Sequence, residues 1–367
     1  MKHKQNIKKI VLTGGPCAGK STAMSIITQQ LENLGWKVFI CQEAATHLFK
    51  AGTEISEKGL SSKEFQEQII LHQIYEEDFL QIIAQQHTYE NVAILLDRGI
   101  MDGMAYVPKE EFINILEKYN YDIVSVRDQR YDAIFHLVSA AYGAEQFYTL
   151  ENNEARKESV EEARIIDDKT KSVWIGHPHM RVIDNTTSFK QKVDRLIKEI
   201  FSVLGLPIPI RIERKFTIEA PDITKIDIPY QVIDIQQHYL DGHNTKEHTR
   251  IRQRGQNGSY TYYHTKKINI RGGVNIELED KISQEQYYDL LPTADPNLVP
   301  IIKERICFLW ENQYFEMDIF KNRGKDTCML QIKLTEQQQE TILPLWIKII
   351  KEVTDDSQYS NYELAKK

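Results

Sequence analysis

Apolar residues follow two different periods along the chain. From residue 8 to about 200, short apolar runs alternate with stretches in which apolar residues recur every three or four positions. This alternation is typical of an α/β domain, in which a parallel sheet is wrapped by helices. The predicted strands span 7–12, 37–41, 92–96, 133–138 and 180–183, and the two clearest helices span 63–86 and 189–204.

A segment rich in proline and glycine separates this pattern from a second one. Residues 205–209 read Gly-Leu-Pro-Ile-Pro, which ends a helix and cannot restart one. Beyond residue 210 charged and apolar residues alternate, as in antiparallel strands with one charged face. Capping boxes at Ser283 and Thr335 predict two short helices. Because 367 residues exceed one ordinary core, we expect an α/β domain at 1–205, a linker at 206–210 and an α+β antiparallel domain at 211–367.

A complete GxxxxGK[ST] motif lies between the first predicted strand and the helix that follows it. Its residues are Gly14, Gly15, Pro16, Cys17, Ala18, Gly19, Lys20 and Ser21. Such a loop turns successive backbone amides toward phosphate oxygens at a helix N-terminus. We expect Lys20 to contact the β and γ phosphates, Ser21 to offer its hydroxyl to Mg²⁺ and Thr22 to continue the helix. The alternative is a glycine-rich turn that binds nothing.

Two further strands deliver polar residues to the same edge of the predicted sheet. Asp97 and Arg98 follow an apolar strand, and Glu43 follows another. In a phosphate-loop fold this edge faces the nucleotide. We expect Asp97 to hold Mg²⁺ through water, Arg98 to meet a transferring phosphoryl group and Glu43 to accept a proton from an acceptor hydroxyl. The alternatives are a strand-terminal aspartate that caps a turn and a solvated glutamate at a helix start.

A polar segment between residues 142 and 180 contains two arginines eight positions apart, Arg156 and Arg164. If both lie on one helix, they share a face and reach one anionic ligand from a mobile lid. A solvated, salt-bridged helix accounts for the same residues. His177 and His179 do not indicate a metal site, because no third ligand lies near them in the sequence.

Taken together, these motifs resemble the phosphate-loop ATPase/kinase family that includes nicotinamide-riboside kinases and the TRL-channel translocation defect protein. The matching segments are 13–22, 43–46, 96–99 and 177–185, within a resemblance that spans about 7 to 204. The resemblance implies binding of ATP or GTP and, less directly, phosphoryl transfer to a small molecule. It does not identify the acceptor.

The second half predicts a sheet with one charged face. The predicted anion-binding residues are Glu213, Lys215, Arg250, Arg252, Arg254, Lys266, Lys303, Arg305 and Lys333. Arginines two positions apart repel one another unless acids or a polyanion lie between them. Strands closed into a barrel would place such a face inside a tunnel. The alternative is an open sheet with a solvated charged face.

These strands resemble the CYTH, or triphosphate tunnel, family across about 210 to 351. Arg250-Ile251-Arg252, Lys303-Glu304-Arg305 and Glu316-Met317-Asp318 match its signatures. In that family, acids of the first and last strands hold the catalytic metal, whereas this chain has Arg211, Gln331 and Lys333 at three of those four positions. A fixed ammonium balances phosphate charge but does not activate water. We therefore expect the tunnel to bind a phosphorylated anion without hydrolysing it.

Composition bears on the binding partners and on the cellular compartment of the protein. A net charge of −7 gives no global reason to bind DNA. Four separated cysteines predict free thiols in a reducing compartment, and no apolar run approaches the roughly 18 to 20 residues that span a bilayer. We expect a cytoplasmic protein, with membrane contact limited to the periphery.

Three functions remain open on these grounds. The first is a regulatory ATP- or GTP-binding protein with kinase-like or slow NTPase activity. Its tunnel would recognise a nucleotide, a polyphosphate or a lipid head group of the phosphatidic-acid type. The second is a metabolic kinase for a nucleoside-like small molecule. The third is a hydrolase that cleaves triphosphate or pyrophosphate in the tunnel, which the missing acids argue against.

Overall fold

A computed structural model describes residues 5–147, 159–206, 212–241, 247–271, 274–322, 328–334, 340–354 and 356–367. The chain divides into two compact units, Met1–Leu206 and Pro207–Lys367. Each unit is built around a sheet of its own.

The first unit contains a parallel sheet in the order β2-β3-β1-β4-β5, counted over its described residues. Its strands are β1 (Asn6–Thr13), β2 (Lys37–Cys41), β3 (Asn91–Asp97), β4 (Ala133–Leu137) and β5 (Met180–Ile183). All five predicted strands are confirmed within a residue or two. The apolar runs arise because helices cover both faces of a parallel sheet, which leaves few positions for polar side chains.

Six α-helices connect or flank these strands in the described part of the unit. They are α1 (Lys20–Asn33), α2 (Ala44–Lys50), α3 (Ser62–Gln86), α4 (Lys109–Lys118), α5 (Val160–Ser172) and α6 (Phe189–Leu204). Both predicted helices are confirmed. Capping boxes at Ser61, Ser159 and Ser188 fix where α3, α5 and α6 begin.

The predicted helix that carries both Arg156 and Arg164 is wrong. Ser159 has an extended backbone and caps α5, so the helix begins at Val160. Arg164 lies on α5, whereas Arg156 lies outside the described residues. The Ser159-Val160-Glu161-Glu162 sequence satisfies two orphan amides at this position, which explains why the helix starts here.

One core packs α1 and α6 against the sheet. Ile27 and Leu31 of α1 meet Leu12 and Phe135 of the sheet, together with Leu196 of α6, and all five are fully buried. This packing fixes the phosphate loop at both ends, because β1 enters it and α1 leaves it.

The second unit contains an antiparallel sheet in the order β10-β9-β8-β7-β11-β12-β13-β6-β14 over the residues described. Its strands are β6 (Ile212–Ile218), β7 (Tyr230–Tyr239), β8 (Glu247–Gln256), β9 (Ser259–Arg271), β10 (Val274–Ile282), β11 (Ile301–Trp310), β12 (Gln313–Phe320), β13 (Cys328–Leu334) and β14 (Ile349–Glu352). Helices α7 (Gln284–Leu290) and α8 (Asn361–Ala365) accompany them. The capping box at Ser283 is confirmed, and Thr335 lies outside the described residues.

The register places the charged residues of neighbouring strands on one face. Lys215 lies opposite Gln331, which lies opposite Glu316. Arg305 lies opposite Asp318. The middle of this charged face is buried rather than solvated: Asp318 is 0%, Glu316 2%, Lys303 3% and Arg254 2% exposed. The open sheet with a solvated charged face is therefore excluded, and a sheet that curves around the face accounts for the burial. The predicted antiparallel, tunnel-like fold class is confirmed.

Lys266 does not belong to the charged face. In the β8–β9 register, Arg250 lies opposite Thr265, and Lys266 lies opposite Thr249. Successive strand residues point to opposite sides of a sheet. Lys266 therefore lies on the other side of β9, and Lys267 takes the side that the sequence analysis gave to Lys266.

Candidate functional site

The phosphate loop spans residues 14–19, between β1 and the first residue of α1, Lys20. Two of its positions require glycine. At Gly14, φ is +141°, and a Cβ atom would lie 2.1 Å from the carbonyl oxygen of Leu137. At Gly19, φ is +84°, and a Cβ atom would lie 2.4 Å from the ring of Phe189. The glycines of the motif thus allow the close approach that shapes the loop.

Three consecutive carbonyl groups of the loop are held on one side. The hydroxyl of Ser139 donates to the carbonyl oxygen of Pro16. The amide of Ala140 donates to that of Cys17 at 3.2 Å. The ammonium of Lys192 donates to that of Ala18 at 3.3 Å. Across a trans peptide the next amide points the opposite way. The amides of residues 17–19 therefore face away from these donors, as a phosphate-binding loop requires.

Lys20 lies at the start of α1, where the helix dipole favours negative charge. Its ammonium is half-buried and donates to the carbonyl oxygen of Gly14 at 3.3 Å. Burial, together with the neighbouring Arg98, lowers the pKa of Lys20. Ser21 and Thr22 are exposed in the first turn of the same helix. The site thus presents the ammonium of Lys20 and the hydroxyls of Ser21 and Thr22 beside the loop amides.

Asp97 is the last residue of β3, which pairs with β1. Burial raises the pKa of Asp97, although the charge of Lys20 opposes that shift. Its Oδ1 atom is buried and has no hydrogen-bond partner among the described residues. Oxygen ligands of this kind, completed by phosphate and water, are what Mg²⁺ prefers. Ser21 and Asp97 therefore fit the role of magnesium ligands.

Arg98 has a backbone conformation that is uncommon for any residue other than glycine. Its φ is +74°, and its amide donates to the carbonyl oxygen of Leu12 at 3.0 Å. Its guanidinium lies 5.9 Å from the ring centroid of Tyr106, and its Nε atom donates to Glu43 at 2.6 Å. Such conformations persist where surrounding contacts fix them, often at functional sites.

Glu43 precedes α2 and holds Arg98 as an ion pair. Thr46 donates to its second carboxylate oxygen at 2.6 Å. Burial opposes ionisation of Glu43, but Arg98 and Lys20 outweigh burial and lower its pKa to about 2. A carboxylate with so low a pKa is a weak proton acceptor at neutral pH. The geometry favours positioning of Arg98 over the proton-accepting role expected from the sequence.

Asp102, which sequence reasoning missed, joins the phosphate loop to the turn that carries Arg98. One of its oxygens accepts from Thr13 at 2.6 Å and from Trp174 at 3.0 Å, and the other accepts from the amide of Gly99 at 2.9 Å. Asp102 is 3% exposed. The spacing of Gly99 and Asp102, which resembles a helix cap, was its only sequence signal.

Asp167 was missed as well. One of its oxygens accepts from the amides of Gly15 and Ser139, at 2.7 Å and 3.1 Å. It is fully buried on α5 beside His136. Arg164, one turn earlier, donates to the carbonyl oxygen of Ala141 at 2.8 Å and to Glu145 at 3.0 Å. Helix α5 thus contacts the loop through Asp167, while Arg164 is engaged with the segment after β4.

In the second unit, most of the charged face is already paired. Arg305 makes two hydrogen bonds to Asp318, at 2.7 and 2.8 Å, and one to Glu316 at 2.6 Å. Lys303 donates to Asp318 at 2.7 Å. Arg305 and Lys303 outweigh burial and hold the pKa of Asp318 far below its usual range. The positive charges of Arg305 and Lys303 are therefore balanced by the negative charges of Asp318 and Glu316.

Lys333 lies among carboxylates where the sequence comparison expects a metal-binding acid. Its ammonium lies 2.8 Å from Glu213 and 3.8 Å from Glu316. Lys215 contacts the other oxygen of Glu213 at 3.0 Å. Gln331 donates to Asp318 at 3.3 Å. Within the described ranges, no group of three or more His, Cys, Asp and Glu side chains is placed to bind a metal.

Three arginines of β8 also belong to the charged face. Arg250, Arg252 and Arg254 project to that face at successive positions. Arg252 donates to Glu279 at 3.0 Å, and that same oxygen also accepts from Thr265. Burial and the charges of the other two arginines lower the pKa of Arg252. Positive charge is therefore concentrated along this strand.

All the predicted residues of the tunnel except Lys266 lie on the charged face. Of the predicted loop residues, Gly14 to Ser21 form the loop and the first turn of α1 as expected. Every described helix is too short or too polar to cross a bilayer.

Two of the solved structures that match the chain cover less than half of it. One matching solved structure is titled "The crystal structure of the inorganic triphosphatase NE1496"; it is 25% identical and covers 43% of this chain and 95% of its own, with a TM-score of 0.33. A second is the PH1819 protein from Pyrococcus horikoshii OT3; it is 17% identical and covers 35% of this chain and 80% of its own, with a TM-score of 0.28. No curated protein matches the chain.

The sequence profile described as AAA domain matches residues 9–192, which is half of the 367 residues. The matched range contains the whole phosphate loop, Asp97, the last five residues of β1 and the other four strands of the parallel sheet. The resemblance to nicotinamide-riboside kinases is finer than this match and stays a prediction. By its first unit, with a phosphate loop built to bind nucleotide, the chain belongs to the AAA domain family.

Proposed function

We propose that the first unit binds ATP or GTP together with Mg²⁺ and transfers the γ-phosphoryl group, either to a hydroxyl of a small acceptor or slowly to water. The single observation that carries this proposal is the convergence at one sheet edge. Loop amides, Lys20, the unpaired oxygen of Asp97 and the Glu43–Arg98 pair all lie there. Phosphoryl transfer depends on this combination of positioning and charge.

Each residue has a defined role in this proposal. The amides of residues 17–19 and the ammonium of Lys20 bind phosphate oxygens. Ser21 and Asp97 would hold Mg²⁺, which supplies positive charge to the β and γ phosphates. Arg98 stabilises the negative charge that develops on the transferring group, and Glu43 fixes the guanidinium of Arg98 by an ion pair.

Nucleotide binding is tested by calorimetry with ATP and GTP, with and without Mg²⁺. We expect Lys20→Ala to weaken binding at least a hundredfold, because the ammonium that the proposal places against the β and γ phosphates is removed. Lys109→Ala, an exposed change on α4, should leave the affinity unaltered. Equal affinity of Lys20→Ala and the parent protein would contradict the proposal.

Turnover then separates two reactions. If nucleotide is consumed only when a small hydroxyl compound is added, the unit is a metabolic kinase. If phosphate is released slowly without an acceptor, the unit is an NTPase, and a regulatory role follows. Lys20→Ala should abolish either activity.

A second function is favoured by the charged face of the other unit. We propose that it binds a phosphorylated anion such as a nucleotide, a polyphosphate or a phosphatidic-acid-type head group, as part of a regulatory role. The mutual repulsion of Arg250, Arg252 and Arg254 supports this proposal, since the charges of the other two lower the pKa of Arg252 and a polyanion between them would relieve that repulsion. Hydrolysis in the tunnel is disfavoured, because Lys333 lies between the carboxylates Glu213 and Glu316.

A further inference from the structure

Lys192 is a buried lysine that the proposed reaction does not use directly. It lies on α6 and is 3% exposed. Its ammonium donates to the carbonyl oxygen of Val138 at 2.7 Å, to the side chain of Asn185 at 2.7 Å and to the carbonyl oxygen of Ala18 at 3.3 Å. An ammonium has three donors, so each one has an acceptor, and one of the acceptors belongs to the phosphate loop.

The contact with Ala18 determines which way one peptide of the loop faces. While its carbonyl oxygen points at Lys192, the amide of Gly19 points to the phosphate side. Among the described residues no acceptor binds that amide. Without the ammonium, the carbonyl of Ala18 loses a charged donor in a buried place, and the peptide no longer has a reason to keep this orientation.

We propose that Lys192 is a positioning residue of the phosphate loop, whose ammonium holds the Ala18 carbonyl so that the Gly19 amide faces a bound triphosphate. This inference rests on the proposed nucleotide binding by the first unit. It assigns a second lysine to the loop. Lys192 contacts a loop carbonyl on the side away from the phosphates, whereas Lys20 is placed to contact the phosphates themselves.

The charge of Lys192 adds a pH dependence to this role. Burial lowers its pKa to about 8. The charged groups near it are Asp167 on α5, Asp184 after β5, Arg195 on α6 and Lys20 on α1. A bound triphosphate favours the protonated form and raises this pKa. Affinity is therefore greatest below pH 8 and decreases as pH rises above it, by about tenfold between pH 7 and 9 if the bound-state pKa exceeds 10.

Three variants test the proposal by calorimetry with Mg-ATP. Lys192→Met keeps the length of the side chain and removes the charge, so we expect affinity at pH 7 to decrease at least tenfold. Lys192→Arg keeps a permanent charge, so the part of the pH dependence due to this residue should disappear. Lys198→Met changes an exposed lysine of the same helix and should behave as the parent protein does.

Proton uptake supplies a readout that a merely structural role would not change. At pH 8.5, titrations in buffers of different ionisation enthalpy should show that the parent protein takes up more of a proton on binding ATP than Lys192→Arg does. The ionisation of Lys20 contributes equally to both proteins and cancels in the comparison.

The outcomes are separable. If the parent protein does not bind ATP, the proposed function fails. If it binds ATP and a folded Lys192→Met binds equally well, the positioning role is overturned while the proposed function stands. Should Lys192→Met fail to fold, equal proton uptake by the parent protein and Lys192→Arg overturns the role, and reduced uptake by Lys192→Arg supports it.

Discussion

Replacing Glu43 by glutamine separates two roles for this residue. The carboxylate accepts from Nε of Arg98 at 2.6 Å and from Thr46 at 2.6 Å, and its pKa is about 2. Glutamine keeps the length and one acceptor oxygen but removes the charge that pairs with Arg98. Loop contacts are unchanged, so nucleotide affinity should stay within about twofold of the parent value.

The magnitude follows from the type of bond that is lost. A hydrogen bond between charged groups stabilises by about 1.5 to 3 kcal/mol, and a neutral one by about 0.5 to 1.5 kcal/mol. Glutamine keeps a neutral hydrogen bond, and Glu43 is 28% exposed at its side chain, so the loss is the smaller part of the difference between these two values, about 1 kcal/mol. If Arg98 acts only in the transition state, kcat decreases by about fivefold while KM is retained.

The assay is kcat for nucleotide turnover between pH 5 and 9. Positioning predicts that Glu43→Gln lowers kcat by a similar factor at every pH, because a group with a pKa near 2 does not titrate in this range. Glu110→Gln, an exposed change on α4, is the matched control. The reasoning is refuted by an acidic limb in the profile of the parent protein that disappears in Glu43→Gln, since that limb would identify Glu43 as the proton acceptor.

Two further predictions concern the charged face of the second unit. In a Lys20→Ala background, Arg252→Met should weaken tripolyphosphate binding at least tenfold when the affinity is measured by calorimetry. Lys266→Met, a change on the other side of its strand, should leave the affinity unaltered. Equal losses in both variants would place both residues at the site. Lys333→Glu adds a third carboxylate beside Glu213 and Glu316, so Mn²⁺ should raise the melting temperature of that variant and not of the parent protein. The same rise in both would show that a metal binds without the change.

The phosphate loop could be predicted because its signals are local. A strand, the motif residues and a helix follow one another directly in the sequence, and Gly14 and Gly19 stand where a Cβ atom would clash with a neighbouring residue. The strands of the parallel sheet could be predicted equally well, because strands that are buried on both faces consist of continuous apolar runs. The start of α5 could also be predicted, because Ser159 and Glu162 form a capping box. That capping box places the first helical residue after Arg156, so it predicts that Arg156 and Arg164 do not share this helix.

The buried supports of the loop could not be found in this way. Asp167 and Lys192 reach it from positions 152 and 174 residues away in the chain. A charged residue on a helix predicts a solvated side chain, and the atoms of the loop that these two residues contact are backbone atoms, which no side-chain pattern encodes. Lys266 failed for a related reason: two adjacent lysines fit either side of β9, and only the pairing with β8 decides between them.

The two proposed anion sites would balance charge by different means. At the loop, the amides of residues 17–19 carry no net charge and Lys20 is the cation beside them, so we expect the shape of the loop to decide much of what fits. On the charged face, carboxylates already neutralise Lys303, Arg305 and Lys333, and a ligand there gains little from them. On β8, Arg252 contacts Glu279, and the nearby charges of Arg250 and Arg254 lower the pKa of Arg252. A ligand with several negative charges would relieve the mutual repulsion of these arginines more than a singly charged one. We therefore expect the charged face to select its ligand mainly by charge and the loop to select mainly by shape.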